Sequence, residues 1–311
     1  MAIELTLSST PDGKVLASHR GQPLAEPRPL ADLPRITDDS NPYRISPFEL
    51  GAKLLTAMGG EGLSALLGED PDNLLLLTTD SETAQVPWEY AATPGRSFLA
   101  CDYGFLRALP DARAARAGPA GPLNFVVLAA DPLVRDDEHK TPRAGYKLDI
   151  ETELGAISHV LSRSGKALAA QRIPPTRQYL QSALGKGPAI LHLSCHGNVI
   201  PVTAGGQVRS EAVLLLEDDD GVAAPLRGDH LMRMPPRGVL RLVVISACHT
   251  AASATDASLA RAMVGAGVPA AIGMQGSFPD PLSDELAATL YQFLLDGHTL
   301  GEALRQARLA M

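Results

Sequence analysis

The chain has 311 residues, 45% of them hydrophobic and 4% aromatic, with a formal net charge of −8 and a sequence pI near 5.5. That length can bury a large core in one or two domains, and an acidic balance without any basic run argues against nucleic acid or an anionic membrane as the main partner. No apolar segment approaches the roughly 18 residues of a membrane span, the N-terminus lacks a signal-peptide pattern, and three cysteines without framework spacing fit a reducing compartment, so the expected location is cytoplasmic.

In chain order, Ile3, Leu5 and Leu7 alternate with polar residues, and Pro11-Asp12-Gly13 turns the chain into Val15-Leu16-Ala17, the pattern of a β-hairpin. A Pro- and Asp-rich connector runs from Pro23 to Pro42. Ser46-Pro47-Phe48-Glu49 joins a capping box to a proline at the first helical position, which predicts a helix to about Met58. Residues 73–79, with four consecutive leucines, predict a strand. Val86-Pro87-Trp88-Glu89-Tyr90 carries the only tryptophan, and 97–109 predict one or two short strands. Residues 111–122 have no apolar period and end in Gly and Pro, as a linker does. Residues 1–110 therefore read as a smaller α+β half, and 123–311 as a second domain.

Beyond the linker, strand and helix patterns alternate. A buried strand over 123–130 ends at Asp131-Pro132, and a helix over 149–161 puts Ile150, Leu154, Ile157 and Leu161 on one face. A strand at 166–170 and a helix at 176–184 follow, then the apolar run from Ala189 to Asn198. Val213-Leu214-Leu215-Leu216 and Val222-Ala223-Ala224-Pro225-Leu226 flank a polar turn and predict a hairpin. A second buried strand runs from Leu240 to Cys248, followed by a helix at 257–264, a strand at 269–274 and helices at 283–295 and 299–310. This alternation predicts an α/β domain with a mostly parallel sheet flanked by helices.

Two of the predicted strands end in reactive side chains, His196 (followed at once by Gly197) and Cys248. In parallel neighbours the two meet at the carboxyl edge, where open α/β sheets bind ligands. The 248 − 196 = 52 positions between them leave room for a crossover. A cysteine nucleophile needs a proton-transfer partner and donors for the oxyanion that forms on attack. His196 supplies the first, while Gly197 lets backbone approach a substrate carbonyl and the Cys248 amide adds a second donor. Cys195 and His196 are adjacent on a strand and point to opposite faces, so they cannot pair, and Cys195 is expected buried and inert. His192 shares the His196 face two residues deeper, as a hydrogen-bonded core or supporting histidine. His249 is expected toward the flanking helix layer, and Cys101 in packing.

Competing readings exist. A buried cysteine often acts as a small hydrophobe, and a histidine at a strand edge need have no chemistry. A zinc site from His192, Cys195, His196, Cys248 and His249 has suitable ligand types. It lacks Cys-x2-Cys spacing and scatters its ligands over two faces, so no metal is expected. Neither a G-x-G-x-x-G fingerprint after the first strand nor a phosphate-binding P-loop occurs, so no nucleotide cofactor is expected.

Leu193-Ser194-Cys195-His196-Gly197 with Val243-Val244-Ile245-Ser246-Ala247-Cys248-His249-Thr250 resembles the His-Gly and Ser-Ala-Cys-x-Thr pair of the CHAT family. These are caspase-like (clan CD) peptidases, a group that includes caspases, separase and gingipains. Leu259-Ala260-Arg261-Ala262, Gly265 to Ala270, Gly273-Met274-Gln275 with Ser283-Asp284-Glu285, Glu302 to Arg308, and Val86-Pro87-Trp88-Glu89 with Phe98-Leu99-Ala100 extend the resemblance over nearly the whole chain. It implies a caspase-like fold and a cysteine endopeptidase. Cys248 would be the nucleophile, His196 the proton-transfer residue, and the amides of Gly197 and Cys248 the oxyanion donors. It also implies a protein substrate and control by a regulatory protein or fused sensor or repeat module, in defence or regulated cell death. The sequence departs from the family at Ala251-Ala252, where glycine is common, and at Met311, where members continue into another strand. The chain is therefore expected to be part of a longer product. A catalytically idle interaction scaffold on the same fold is the alternative. The loop after the 269–274 strand, with Gln275, Asp280, Asp284 and Glu285, is expected to help form an acidic substrate pocket.

Overall fold

A computed structural model describes residues 1–34, 47–109 except 69, 71 and 94–96, 122–135, 142–144, 146–204, 207–248 except 235, 237 and 238, 250, and 258–311 except 277 and 278. The predicted linker and much of the Pro- and Asp-rich connector lie outside these residues, as does Ser46 of the capping box. The chain divides into two compact units, Met1–Pro110 with Glu285–Met311, and Asp111–Asp284.

In the first unit β1 (Ala2–Ser9) and β2 (Lys14–His19) form the predicted hairpin, with Leu7 opposite Ala17. The two-residue strands β3 (Gln22–Pro23) and β4 (Arg28–Pro29) add to β2. Helix α1 (Pro47–Ala57) starts at the predicted proline. A second helix, α2 (Glu61–Leu67), was not foreseen; Gly59 and Gly60, at φ +116° and +54°, break the pattern before it in a conformation that favours glycine. β5 (Leu74–Thr79) pairs parallel to β1. The expected strands over 97–109 begin instead with a short helix, α3 (Leu99–Asp102), and then give β6 (Gly104–Ala108) beside β5. Leu99 and Ala100 are good helix formers and lack the β-branching that would favour a strand. The Pro-Trp-Glu segment is a structural brace. Trp88 is fully buried and donates Nε1–H to the Thr83 carbonyl at 2.7 Å, while Glu89 holds Arg107 by two hydrogen bonds of 2.7 Å.

The second unit carries the parallel sheet. In chain order it contains β7 (Leu123–Ala129), the small pair β8 (Leu133–Arg135) and β9 (Pro142–Ala144), α4 (Ile150–Arg163), β10 (Leu168–Ile173), α5 (Arg177–Lys186), β11 (Ile190–Ser194), β12 (His196–Ala204), β13 (Gln207–Glu217), β14 (Ala223–Arg227), α6 (Gly228–Met232), β15 (Leu242–Ser246), α7 (Leu259–Gly265) and β16 (Ala270–Gly273). Five strands pair in the order β10-β7-β11-β15-β16, all parallel, as the βα alternation predicts. Asp149, Thr176 and Ser258 cap α4, α5 and α7 with their side chains.

The expected strand from Ala189 to Asn198 is in fact two. β11 stops at Ser194, and His196 opens β12, which runs antiparallel to β13 in a separate three-stranded sheet with β14. The predicted hairpin is the β13–β14 part of that sheet. Alternation divides the parallel sheet cleanly. Val126, Leu128, Leu191, Leu193, Cys195, Val243 and Ile245 form one apolar core with Leu180 and Leu184 of α5 and Leu259 and Met263 of α7. Each such side chain contributes about 1.5–3 kcal/mol on burial. Helix α4 covers the opposite face, and its buried residues are Ile150, Glu153, Ile157 and Val160, so the expected Leu154 and Leu161 give way to a stripe that includes a carboxylate.

Helices α8 (Asp280–Asp296) and α9 (Leu300–Ala310) end the chain. Arg308 of α9 donates to the carbonyls of Ala100 and Phe105, and α9 belongs to the first unit, although the sequence suggests it closes the second. Among the described residues no helix is long and apolar enough to cross a membrane.

Candidate active site

β11 and β15 are hydrogen-bonded neighbours whose last paired rung is Ser194 opposite Ser246. His196 and Cys248 each follow that rung by two residues, so the parallel register carries both to the same edge. The ladder continues for one further bond, from the Cys195 amide to the Ser246 carbonyl at 3.2 Å. His196 and Cys248 then line one open cleft, together with Leu148, Asp149, Glu153 and Ser283 among others.

Backbone packing holds the two segments together. A Cβ on Gly197 would lie 1.8 Å from the Cys248 carbonyl oxygen and 2.9 Å from its amide nitrogen. Gly197 must therefore lack a side chain for the backbone of Cys248 to approach it this closely. Thr250 fixes the turn from the other side. Its buried hydroxyl donates to the Ala247 carbonyl at 2.9 Å and accepts from the Met274 amide at 3.0 Å, tying the end of β15 to the end of β16.

Asp131 is a site residue that sequence reasoning missed. Its Oδ1 lies 3.5 Å from His196 Nε2, and it also accepts from the Leu148 amide at 3.4 Å. The signal lies in its place: Asp131 follows the end of β7, the strand beside β11, by two residues, although Asp131-Pro132 by itself marks only a strand stop. The Tyr146 ring stands edge-on to the His196 ring at a centroid distance of 6.4 Å.

Below the cleft lies a buried polar group. His192 and Glu153 are fully or nearly fully buried, with His192 Nε2 at 3.2 Å from Glu153 Oε1, an ion-pair distance rather than an aligned hydrogen bond. Ser194 Oγ donates to Glu153 Oε2, and Ser246, opposite Ser194 on the last rung, lines the same cleft as that carboxylate. Burial by itself would push the Glu153 carboxyl up, but His192 and the two serine hydroxyls outweigh it and hold the carboxyl below its usual range. Cys195 lies on the apolar face, where burial, reinforced by the charge of Glu153, pushes its thiol up. A thiol kept protonated is a poor nucleophile.

Gln275 and Asp284, both partly buried, are not among the residues lining the cleft, and Glu285 is exposed and falls in the other unit. The side chain of Asp280, like His249, lies outside the described residues. Helix α8 starts at Asp280, so acids in this segment occupy a helix start, where the dipole favours them without any ligand. Of the segment, Ser283 reaches the cleft; the acids that do so are Asp149 and Glu153, both from α4 and its cap. Cys101 is half-buried in the first unit, where burial pushes its thiol up.

A parallel sheet flanked by helices, with a histidine and a cysteine past the ends of adjacent strands, is the architecture of the caspase-like cysteine peptidases. The solved structure of the Arg-specific cysteine proteinase gingipain R matches with a TM-score of 0.53 and 12% identity, covering 84% of this chain and 65% of that one. This chain thus spans just under two thirds of that structure's length. The CHAT domain family model matches residues 49–311, and the chain belongs to the CHAT domain family. No curated protein matches the sequence.

Proposed function

We propose that the protein is a cysteine endopeptidase that cleaves a protein substrate with Cys248 as nucleophile and His196 as proton-transfer residue. The observation that carries the reading is the shared register, which sets both residues two positions beyond the Ser194–Ser246 rung and at one cleft. The Cys248 thiolate would attack the scissile carbonyl carbon, forming a C–S bond and an oxyanion held by backbone N–H groups at Gly197 and Cys248. The C–N bond then breaks as the amine takes a proton from His196, and water, deprotonated by His196, hydrolyses the thioester. Because His196 Nε2 faces Asp131, Nδ1 is the atom left for this exchange, with Asp131 orienting the ring.

The reading extends to selectivity and control. Asp149 faces the cleft from the α4 cap, and its charge favours a basic residue at the cleavage position, the preference named for gingipain R. Control by a partner protein or fused module is proposed from the family resemblance. A reducing compartment such as the cytoplasm suits a catalytic thiol, and none of the three cysteines is held in a disulfide. The test is cleavage of a peptide library, alone and with candidate partners. Activity that disappears in both Cys248→Ala and His196→Ala supports the proposal; activity retained by either variant overturns it, and a chain inert under every condition supports the idle scaffold.

A further inference from the structure

Beyond the Cys195 amide, the β11–β15 ladder no longer holds the two segments that carry His196 and Cys248. A separate tie lies on the α4 face. Glu153 is 3% exposed and sits in a helix stripe that is otherwise Ile150, Ile157 and Val160. A carboxylate in such a place costs several kcal/mol of desolvation unless it is paired and hydrogen-bonded, and an apolar residue of similar volume would often serve stability as well or better. The partners of Glu153 are therefore informative. Besides His192 there is Ser194, which donates to it, and Ser194 stands opposite Ser246 on the last rung before His196 and Cys248.

We propose that Glu153 is a positioning residue of this site: bound to Ser194 and set at the same cleft as Ser246, it holds the end of β11 in place against the end of β15 and sets the spacing of His196 and Cys248. The proposal rests on the peptidase reading above. A rung of the ladder aligns backbones and leaves side-chain spacing free, so the carboxylate bound at Ser194 adds a constraint that the Ser194–Ser246 rung does not supply. Two further carboxylates stand nearby, Asp149 at the cleft as the cap of α4 and Asp131 beside His196.

The test measures iodoacetamide alkylation of Cys248 in the full chain by peptide mass spectrometry, across pH 5 to 9 and well below the unfolding temperature. It compares the unsubstituted protein with Glu153→Gln, Ser194→Ala and His196→Ala. The expected result is that His196→Ala slows Cys248 alkylation at neutral pH and reshapes its rate–pH curve. Glu153→Gln and Ser194→Ala should each move the curve toward that of His196→Ala, with a rate loss of about tenfold, the effect of roughly 1.4 kcal/mol. Adding Ser194→Ala to Glu153→Gln should bring little further loss, because both act through one carboxylate. Folded variants with the original Cys248 curve would overturn the proposal and leave Glu153 a packing residue. If His196→Ala itself leaves the curve unchanged, the His–Cys pairing fails, and the proposal with it. Should Glu153→Gln not fold, Ser194→Ala, which lacks a single hydroxyl, decides the matter.

Discussion

Gly197 packs against the backbone of Cys248 so closely that a methyl group on it would lie 1.8 Å from the Cys248 carbonyl oxygen. No side chain fits there without moving Cys248, and the chain around it is tied down by Thr250, which bonds the Ala247 carbonyl and the Met274 amide. Gly197→Ala should therefore shift Cys248 by about an ångström and cut peptide cleavage by roughly 100-fold or more, since misplacement on that scale costs about two orders of magnitude. Circular dichroism of a folded variant with undiminished activity would count against this account of the glycine.

Cys195 and Cys248 should separate in a labelling experiment. A thiol-reactive peptide electrophile is expected to modify Cys248 and to spare Cys195, which faces the apolar core. Cys195→Ala should leave cleavage within about twofold while costing about 1 kcal/mol of stability or more from the lost buried volume. Intact-mass analysis of each variant checks both statements, and modification at Cys195 would contradict the assignment of faces.

Asp131→Asn tests the orientation of His196. Asparagine keeps the shape of the contact to Nε2 but removes its charge. The expected outcome is a fall in kcat of roughly tenfold with KM little changed. That is smaller than the ~10²–10⁴-fold loss from removing the proton-transfer group itself. Steady-state kinetics with any cleaved peptide provides the comparison.

Glu153 should make stability depend on acid. Its folded-state carboxyl is held below the ordinary range, so the unfolded chain binds its proton more readily. The stabilisation is fully present above the ordinary glutamate pKa of about 4.3 and is lost as pH falls through the lower folded value. In urea titrations the gap between the unsubstituted protein and Glu153→Gln should narrow as pH drops below about 4.3. Glu153→Ala, which strips His192 of its buried partner, should cost about 3–5 kcal/mol near neutrality. A pH-independent gap would show that the carboxylate charge carries no weight.

Asp149 offers a separable test of selectivity. It caps α4 by accepting from the Thr152 amide at 3.3 Å, and asparagine caps a helix about as well. Asp149→Asn should therefore leave the melting temperature nearly unchanged while lowering the preference for Arg or Lys at the cleavage position several-fold in library profiling. Apolar residues favoured by the unsubstituted enzyme would remove the acidic-cleft idea.

Much of this protein was legible in its sequence. Buried parallel strands show as continuous apolar runs because both faces are covered, and this placed the runs ending before His196 and Cys248. Their reactive ends stand out because polar groups are rare there. Strand alternation also predicted that Cys195 turns away from His196.

What tertiary structure decided is whatever depends on neighbours distant in sequence. The break at Cys195 that sends His196 into β12 is set by pairing with β13, which a period of two cannot reveal. Asp131 meets His196 across 65 positions, and Glu153 meets Ser194 across 41, because β7, β11 and α4 are brought together by the sheet order. A glutamate on a helix reads as a solvent-facing charge until its partners are seen. The register of Ser194 against Ser246 is likewise a property of two strands and not of either one, and it is this register that places a histidine beside a cysteine.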